Sequence, residues 1–526
     1  MPRILPTPTK RRPYLSSSVA LLRRLRISRR GVTGKTRLAS FAIISLISIC
    51  WLAVRFTPLA FASTFTVTNT NDSGPGSLRQ AILGANANAG TDTIAFNIPT
   101  ADPGFNGSVF TIRPLSALPT LTDNGTTIDG ATQTAFTGNT NAAGPEIVLT
   151  GNPSIFVGAG LTISSSANHI NSLVINGFNN TGIKISGVGT IGNLVTACFL
   201  GTNASGTAAV PNTFDGVAIT QGASNNIIGG TTPSATNVIS GNSRFGVLLF
   251  GQASNVPNNV VEGNFIGTNA SGQFAIGNMT GVGLVGVTSN TIGGTLPGAR
   301  NVISGNAQEG IHSNSSSSQT IQGNYIGTDV TGTAAIPNGF HGINLFTVGA
   351  TPSANNLIGG SAVGAGNLIS ANQGAGISIG GTGSDSNVIQ GNLIGTDASG
   401  NAPLGNTQGG ISIGTAGNLI GGTAGGARNV ISGNSGNGVT IFGSASTGNQ
   451  VQGNFIGTDA AGGSALPNNS AVFISASGNT IGGAAGNLIA FNRQDGVLVD
   501  TGGRNAIFSN SIFVNGGLGI RLSNNG

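Results

Sequence analysis

The sequence has few charged residues, few aromatic residues and two cysteines. Charged residues occupy 7% of the 526 positions and aromatic residues 5%, whereas glycine alone accounts for 88. This composition is unlike that of an ordinary globular enzyme domain and suits a chain of many narrow turns. Of the 21 basic residues, 12 lie at or before Arg55, and all 15 acidic residues lie at or after Asp72. The rest of the chain therefore carries nine basic and 15 acidic residues, a net charge of −6, which argues against a nucleic-acid partner.

The basic N-terminal region has the organisation of an export signal. Residues 3–37 are rich in arginine, residues 38–54 form an apolar run, and an A-x-A pattern ends at Ala62. We predict that residues 1–62 are an export signal cleaved after Ala62, and that the protein is secreted or attached to the cell surface. An uncleaved signal anchor is the alternative, because the apolar run is short for a membrane span. In both cases this segment is the only expected contact with a membrane.

The two cysteines exclude a disulfide framework. Cys50 lies within the predicted signal, so cleavage leaves Cys198 alone. A single thiol cannot form an intrachain disulfide, and we expect Cys198 to be a small buried apolar residue. The mature fold must therefore be held together by packing and hydrogen bonds.

A short helix is predicted ahead of the main body of the chain. Ser77 is a suitable N-cap, and the apolar residues after it recur on one face, which predicts a helix over residues 77–86. We expect residues 63–123 to form a cap over the apolar end of a stack of repeats. The segment G-S-L-R-Q-A at residues 76–81 resembles the C-S-L-R-E-A segment that heads many bacterial secreted repeat proteins, with its first and fifth letters as departures.

From residue 182 onwards the sequence repeats a small residue followed by apolar-x-apolar. The repeats follow one another at steps of 23 to 35 residues, and each unit contains two further short apolar segments. Three short strands per unit, separated by Gly and Asn corners, are typical of one turn of a right-handed parallel β-helix. We therefore predict an all-β fold over residues 124–526, with three strands per turn and about 12 or more turns. The last unit begins at Gly519 without a polar cap after it, so we expect a chain truncated at its C-terminus.

Alternation and recurrent asparagine predict how the repeats hold together. Val439 and Ile441 are expected to point into an apolar column, with Thr440 outside. Asn242 and its equivalents recur at one corner in every second turn, and Asn264 and its equivalents mark the turns between. We expect these amides to stack in hydrogen-bonded ladders.

Residues 160–526 resemble the right-handed β-helix repeats of the pectin-lyase-like superfamily. The resemblance implies the same fold, and that superfamily contains polysaccharide lyases and hydrolases as well as adhesins and surface proteins without known catalysis. Its lyases use calcium-binding acidic residues with an Arg or Lys base, and its polygalacturonases use clustered Asp with G-H-G and R-I-K motifs. None of those strings occurs in this sequence. The expected outward column of the first strands, from Lys184 to Arg521, contains no carboxylate, which argues against a calcium-dependent lyase on this face.

The best candidate group of catalytic residues lies at two adjacent unit starts. Glu309 and His341 directly precede these units, and His312 and Asn344 occupy equivalent positions inside them. Because equivalent positions stack in neighbouring turns, we expect the four side chains to lie together. A carboxylate with two imidazoles can perform acid–base catalysis or bind a metal, whereas a row of polar side chains at an exposed rim is the alternative. Glu309, His312 and His341 are the candidate catalytic residues, and Asn344 is a candidate ligand-binding residue; no dedicated metal site is predicted.

Two further sets recur along the repeats. Three phenylalanines each follow a unit start by four residues and predict a line of ligand-contacting rings, with partial burial under neighbouring loops as the alternative: Phe250, Phe346 and Phe442.

Three aspartates recur in T-D-x-x-G corners, where calcium binds if backbone oxygens or neighbouring loops complete the site: Asp329, Asp397 and Asp459. A simple Asx turn is the alternative for these aspartates. No other cofactor is expected.

These features predict an exported or cell-surface β-helix that serves adhesion or glycan contact, with an extracellular glycan or cell-surface ligand as its partner. The lack of an acidic cluster along one column favours a protein without catalytic activity. An extracellular polysaccharide lyase or glycoside hydrolase is the alternative, and the net charge of −6 disfavours acidic sugars as its substrates. A structural envelope protein is the third hypothesis.

Overall fold

The computed structural model describes residues 61–152, 154–155, 158–348 and 351–525. All of the predicted export signal except Phe61 and Ala62 lies outside the described residues, so its cleavage stays a prediction. Within the described ranges, no helix has both the length and the apolar character needed to cross a membrane.

The chain winds through three parallel β-sheets. Among the described residues, the first sheet has 15 strands, the second 14 and the third 13, and neighbouring strands run parallel. From residue 161 onwards, each turn contributes a strand to the third sheet, then one to the first and one to the second. The fold is a right-handed parallel β-helix, which confirms the architecture and the number of strands per turn predicted from the repeats. Because stacked strands lie about 4.8 Å apart, equivalent residues of successive turns form columns along the axis.

The strands of the first sheet are Thr64–Val67, Thr93–Phe96, Thr127–Asp129, His169–Asn171, Leu194–Thr196, Ile227–Gly229, Val260–Glu262, Thr291–Gly293, Thr320–Gln322, Leu357–Gly359, Val388–Gln390, Leu419–Gly421, Gln450–Gln452, Thr480–Gly482 and Ala506–Phe508. Those of the second sheet are Phe110–Ile112, Ile147–Thr150, Leu173–Asn176, Phe199–Leu200, Val238–Ile239, Phe265–Ile266, Val302–Ile303, Tyr325–Ile326, Leu368–Ile369, Leu393–Ile394, Val430–Ile431, Phe455–Ile456, Leu488–Ala490 and Ser511–Phe513. Those of the third sheet are Leu161–Ile163, Ile183–Ser186, Val217–Thr220, Phe245–Phe250, Thr280–Val285, Ile311–Asn314, Ile343–Phe346, Ala375–Gly380, Gly409–Ile413, Asn437–Phe442, Val472–Ser475, Val497–Thr501 and Ile520–Asn525.

One continuous apolar column fills the interior. The inward residues are mostly Ile, Val and Leu, and Val439 and Ile441 are fully buried on either side of the partly exposed Thr440, as predicted. Each fully buried side chain of this size contributes roughly 1.5–3 kcal/mol, so the stack gains stability turn by turn. Cys198 lies in the same column as a buried free thiol, and burial raises its pKa to about 12.

Three buried ladders of side-chain amides line the corners between the sheets. In a typical step, the backbone N–H and Nδ2 of Asn306 both donate to Oδ1 of Asn338 one turn later, at 3.1 and 2.9 Å. The ladder before the first sheet comprises Asn168, Asn193, Asn226, Asn259, Asn290, Gln319, Asn356, Asn387, Asn418, Asn449, Asn479 and Asn505. The ladder before the second sheet comprises Asn237, Asn264, Asn301, Asn324, Asn367, Asn392, Asn429, Asn454, Asn487 and Asn510. The ladder before the third sheet comprises Asn212, Asn242, Asn278, Asn306, Asn338, Asn372, Asn406, Asn434, Asn468, Asn492 and Asn515.

The ladders correct the predicted alternation of corner asparagines. The sequence pattern assigns Asn242 and Asn264 to alternate turns, whereas the structure places them in two different ladders that each continue through successive turns. The physical reason is that insertions and enlarged corners alternate along the chain. Equivalent asparagines such as Asn242 and Asn278 therefore have different flanking sequences although they stack directly on each other.

Two helices flank the first turns. Helix α1, Leu78–Ala87, has Ser77 as its N-cap and buries an apolar face against the strands Thr64–Val67 and Thr93–Phe96, which confirms the predicted helix. Helix α2, Ala131–Thr137, was not predicted. Short 3₁₀ turns lie at Pro233–Ala235 and Pro297–Ala299.

Gln133 explains how helix α2 is anchored. Its buried side chain accepts a hydrogen bond from the backbone N–H of Ile98 and donates one to the carbonyl of the same residue, both at 2.9 Å. These are tertiary contacts, so the local sequence of the helix carried little sign of them.

Candidate functional site

The outward face of the third sheet has the predicted register. Its central column, paired residue by residue along the stack, is Lys184, Ala218, Leu248, Gly283, His312, Asn344, Ser378, Ser412, Thr440, Phe473, Leu498 and Arg521. We call this column, together with the outward residues immediately before and after it on the same strands, the third-sheet face.

Of the four residues expected to lie together around Glu309, three are in direct contact. His312 and Asn344 pair on adjacent strands. The carboxylate Oε1 of Glu309 lies 3.7 Å from His312 Nδ1 and accepts a hydrogen bond from Asn344 Nδ2 at 3.3 Å. At 3.7 Å the histidine contact is an ion-pair distance rather than a hydrogen bond, so the buried His312 Nδ1 has no hydrogen-bond partner within the described residues.

Glu309 is held in its ionised form. Its side chain is buried, which raises its pKa, but the His312 imidazole, the backbone N–H of Glu309 itself and the Asn344 amide outweigh burial and lower the pKa below its usual value. A buried carboxylate that stays charged beside an imidazole can accept a proton or orient a hydroxyl group.

His341 occupies the turn next to Glu309, but its imidazole is committed to the backbone. Its Nδ1 accepts a hydrogen bond from the Ala375 N–H at 2.9 Å, and its ring lies 3.9 Å from the ring of Phe340. Burial lowers the pKa of His341, against the opposing attraction of Glu309 and the bond from Ala375. The neutral imidazole therefore carries its proton on Nε2 and presents a donor, so it does not offer the lone pair that a general base needs.

The predicted line of aromatic residues exists on this face. Phe250, Phe346 and Phe442 occupy one outward column and are 37%, 41% and 44% exposed. The rings recur every third turn, which places them about 14 Å apart. Neighbouring loops leave a substantial part of each ring open to solvent.

The aspartates of the enlarged corners close their own loops. Asp329 Oδ1 accepts from the backbone N–H groups of Thr333 and Ala334 at 3.0 and 3.1 Å. Burial raises the pKa of Asp329, but the Thr331 hydroxyl and these backbone donors outweigh it and lower the pKa. Asn269 accepts the equivalent bonds in its own corner. Among the described residues, no group of three or more His, Cys, Asp or Glu side chains is placed to hold a metal ion. Calcium binding at Asp329, Asp397 and Asp459 stays a prediction.

The sequence does not single out a polar group on the outward face of the first sheet. His169 Nε2 lies 2.7 Å from the Thr196 hydroxyl, which donates to Asn171 Oδ1 at 2.9 Å, and Asn171 Nδ2 donates to Asp129 Oδ1 at 2.8 Å. Burial lowers the pKa of His169, against the attraction of Asp129. Aligning the strands of the irregular first turns would have predicted this group, because Asp129, Asn171 and Thr196 occupy one column of three consecutive strands.

A cavity near the start of the third-sheet face was also missed. It has a volume of about 280 Å³ and is lined by Lys184, Asp215 and Arg244 together with the rings of Phe214 and Phe250. The sequence offered a signal, since Lys184 is the only lysine after residue 35. The charged and aromatic residues that share the cavity with Lys184 lie 30 or more residues away in the chain, so only the register brings them together.

Comparisons with known proteins found similar solved structures and no matching family. No family model and no curated protein matches the chain. Similar solved structures include the Dettilon tailspike protein gp208, with 15% identity, a TM-score of 0.44 and coverage of 74% of this chain and 66% of the tailspike chain. The A-module of the mannuronan C-5 epimerase AlgE6 of Azotobacter vinelandii is 14% identical, with a TM-score of 0.39 and coverage of 87% of this chain and 99% of the module. A mannuronic acid specific polysaccharide family 6 lyase from human gut microbiota is 12% identical, with a TM-score of 0.33 and coverage of 85% of this chain and 83% of the lyase chain. At these values the likenesses carry no argument about activity.

Proposed function

We propose that this chain is an exported or cell-surface β-helix whose third-sheet face binds a glycan without altering it chemically. The observation that supports this is the line of half-exposed rings formed by Phe250, Phe346 and Phe442 on one column. An aromatic ring provides a flat apolar surface for the C–H face of a sugar, and nearby amides and hydroxyls provide hydrogen bonds. A spacing of about 14 Å allows one extended glycan to meet several rings.

The residues around the rings suit an elongated polar ligand. From the turn of Phe346 to that of Phe442, the central column carries the uncharged polar residues Asn344, Ser378, Ser412 and Thr440. Gly414 lies beside the Phe442 ring, where an added Cβ would come within 3.0 Å of a ring carbon. A larger residue there would push the ring away from its position, so the face depends on small neighbours.

A polysaccharide lyase or glycoside hydrolase is the second candidate, and the group around Glu309 favours it. The ionised Glu309 carboxylate supplies a base, and the neutral His341 supplies an Nε2–H that can donate to a substrate oxygen. Glu309 contacts Asn344, which lies on the same strand as Phe346, so one glycan could meet both sets of residues.

Binding and turnover by the full chain separate the two candidates. A glycan-array screen should find a bound glycan, and that glycan should show no release of reducing or unsaturated ends. The variant with Phe250, Phe346 and Phe442 all changed to Ala should bind at least about tenfold more weakly, since each ring loses its stacking surface. Phe274→Ala is the matched control, because Phe274 is 68% exposed on an enlarged corner away from this face.

Two results would contradict the proposal. Product formation that disappears in Glu309→Gln or His341→Ala would make the protein an enzyme and locate its site. Failure to bind any glycan would remove both candidates and leave the structural envelope role.

A further inference from the structure

The cavity near the start of the third-sheet face combines aromatic walls with two basic side chains. Phe214 and Phe250 are 38% and 37% exposed and form part of its lining, and Lys184 and Arg244 come from two different turns. Phe250 is also the first ring of the aromatic line. A ligand that follows this line therefore reaches the cavity at one end of its path.

Neither cation forms an ion pair with a described residue. Arg244 is near enough to Asp215 for its charge to oppose the burial that raises the pKa of this carboxyl. Lys184 forms no hydrogen bond or ion pair within the described part of the chain. The Arg244 guanidinium lies 5.4 Å from the centre of the Phe214 ring and 5.6 Å from that of Phe245, and it forms no ion pair with a described residue. These ring contacts orient the guanidinium while its N–H donors stay available.

Asp215 is the acidic residue of this lining, and its oxygens are already engaged. One oxygen accepts from the Phe245 N–H at 3.3 Å and the other from the Thr181 hydroxyl at 3.4 Å. The carboxylate is buried and lies beyond ion-pair distance of both cations. The open part of the cavity therefore presents two positive charges on groups that suit carboxylate and sulfate oxygens.

We propose that this cavity is a subsite for a sugar unit that carries an anionic substituent, a carboxylate or a sulfate. The anionic group lies between Lys184 and Arg244, and the sugar ring packs against Phe214 and Phe250. This inference rests on the proposed glycan-binding function and names the charge of the ligand that this face selects. It also reverses the expectation drawn from net charge, because the −6 of the chain after Arg55 is spread over many turns whereas both cations line one cavity.

Matched polysaccharides test the subsite in the full chain. Binding is measured with a uronate-containing polymer and its carboxyl-reduced form, and with a sulfated polymer and its desulfated form. We expect at least one charged polymer to bind about tenfold more tightly than its neutral form, and the pair that responds identifies the anion. Lys184→Gln and Arg244→Gln should each remove most of this difference, because the charged polymer loses one of the two cations that contact its anionic group.

Arg300→Gln is the control for loss of one positive charge. Arg300 is stacked over Tyr325 at 3.9 Å on another flank, so its loss should leave the preference intact. The inference fails if charged and neutral forms bind equally, or if Arg300→Gln reduces the preference as much as Lys184→Gln. Equal binding that still depends on the three phenylalanines would reject the subsite and keep the glycan-binding face, whereas no binding at all would reject both. Circular dichroism and thermal unfolding establish that each variant is folded.

Discussion

At the scale of single residues, immediate neighbours set the chemical state of the candidate site. Glu309 and His341 are both buried enough for burial to be the largest influence on their pKa values, yet Glu309 stays charged and His341 stays neutral. The difference arises because the His312 imidazole, the backbone N–H of Glu309 and the Asn344 amide outweigh burial at Glu309, whereas burial prevails at His341. Sequence spacing predicted that these residues meet, but it could not assign their protonation.

We predict that His341 contributes to the loss of stability in mild acid. Its folded pKa is lowered, so the unfolded state binds more protons between that pKa and the ordinary value near 6.5. The contribution is present above about pH 6.5 and is lost as the pH falls through this window. In His341→Gln, which keeps an acceptor for the Ala375 N–H, thermal unfolding between pH 8 and pH 5 should depend less on pH than in the wild type.

The two proteins should unfold at similar temperatures at pH 8, where His341 is neutral in both states of the wild type. An unchanged pH dependence in His341→Gln would show that this residue does not titrate in the window.

At the scale of elements, the corners between strands contribute more than the strands themselves to holding successive turns in register. Many strands of the second sheet contain only two residues, so the ladder amides and loops must hold successive turns in place. The loops do so directly: Val330 N–H donates to the Gly272 carbonyl and Ala398 N–H to the Gly332 carbonyl, which links enlarged corners two turns apart. The abundance of Asn and Gly in the sequence follows from these corners, because the ladders consist mostly of Asn and the turns between strands use Gly.

A ladder amide in the middle of the stack should be costly to remove. Asn338 Nδ2 donates to the Ile303 carbonyl at 3.0 Å and to Asn372 Oδ1 at 2.9 Å, while its Oδ1 accepts two bonds from Asn306. Asn338→Ala leaves several buried groups without partners, and each such group costs about 1–3 kcal/mol. We expect the free energy of unfolding in denaturant to fall by roughly 2–4 kcal/mol.

Asn401→Ala is the matched control, because Asn401 is exposed on an enlarged corner and its side chain forms no hydrogen bond within the described residues. Its effect should stay within about 0.5 kcal/mol. A loss below about 1 kcal/mol for Asn338→Ala would mean that the ladder is not an energetic element of the fold.

At the scale of the whole molecule, a basic N-terminal segment precedes a repeat array that carries little charge. The basic residues of the chain are concentrated before residue 56, and the long repeat array after them carries little charge. Each turn contacts its neighbours along one axis, so the array behaves as a one-dimensional stack with a long, nearly uniform surface. Charged side chains on or beside the third-sheet face include the cations of the cavity at Lys184, the group at Glu309 and the ion pair of Arg521 with Asp495.

The export signal is tested on the whole protein. Expression in a bacterial host should give an exported chain that begins at Ser63, because Ala60-Phe61-Ala62 provides small residues at the cleavage site. Intact mass and N-terminal sequencing measure this start. Ala62→Leu should block cleavage and keep the chain in the membrane fraction, whereas Ser63→Thr should be cleaved normally. A wild-type chain that retains residues 1–62 in the membrane would instead establish a signal anchor.

The sequence by itself determined the fold and the columns. A period of one turn and alternation within each strand are enough to place His312 beside Asn344, and to align Phe250, Phe346 and Phe442, because stacking repeats the same register at every turn. The N-cap of helix α1 is equally local, and it was predicted from Ser77.

The tertiary structure decided what depends on side-chain direction and on distant neighbours. It placed the corner asparagines in three ladders and directed His341 Nδ1 to the Ala375 N–H. It also brought Lys184 and Arg244, which form no ion pair with a described residue, to one cavity. Repeat spacing fixes which residues are adjacent, because adjacency follows from chain geometry. It does not fix exposure, tautomer or local charge, because these depend on every atom that surrounds the group.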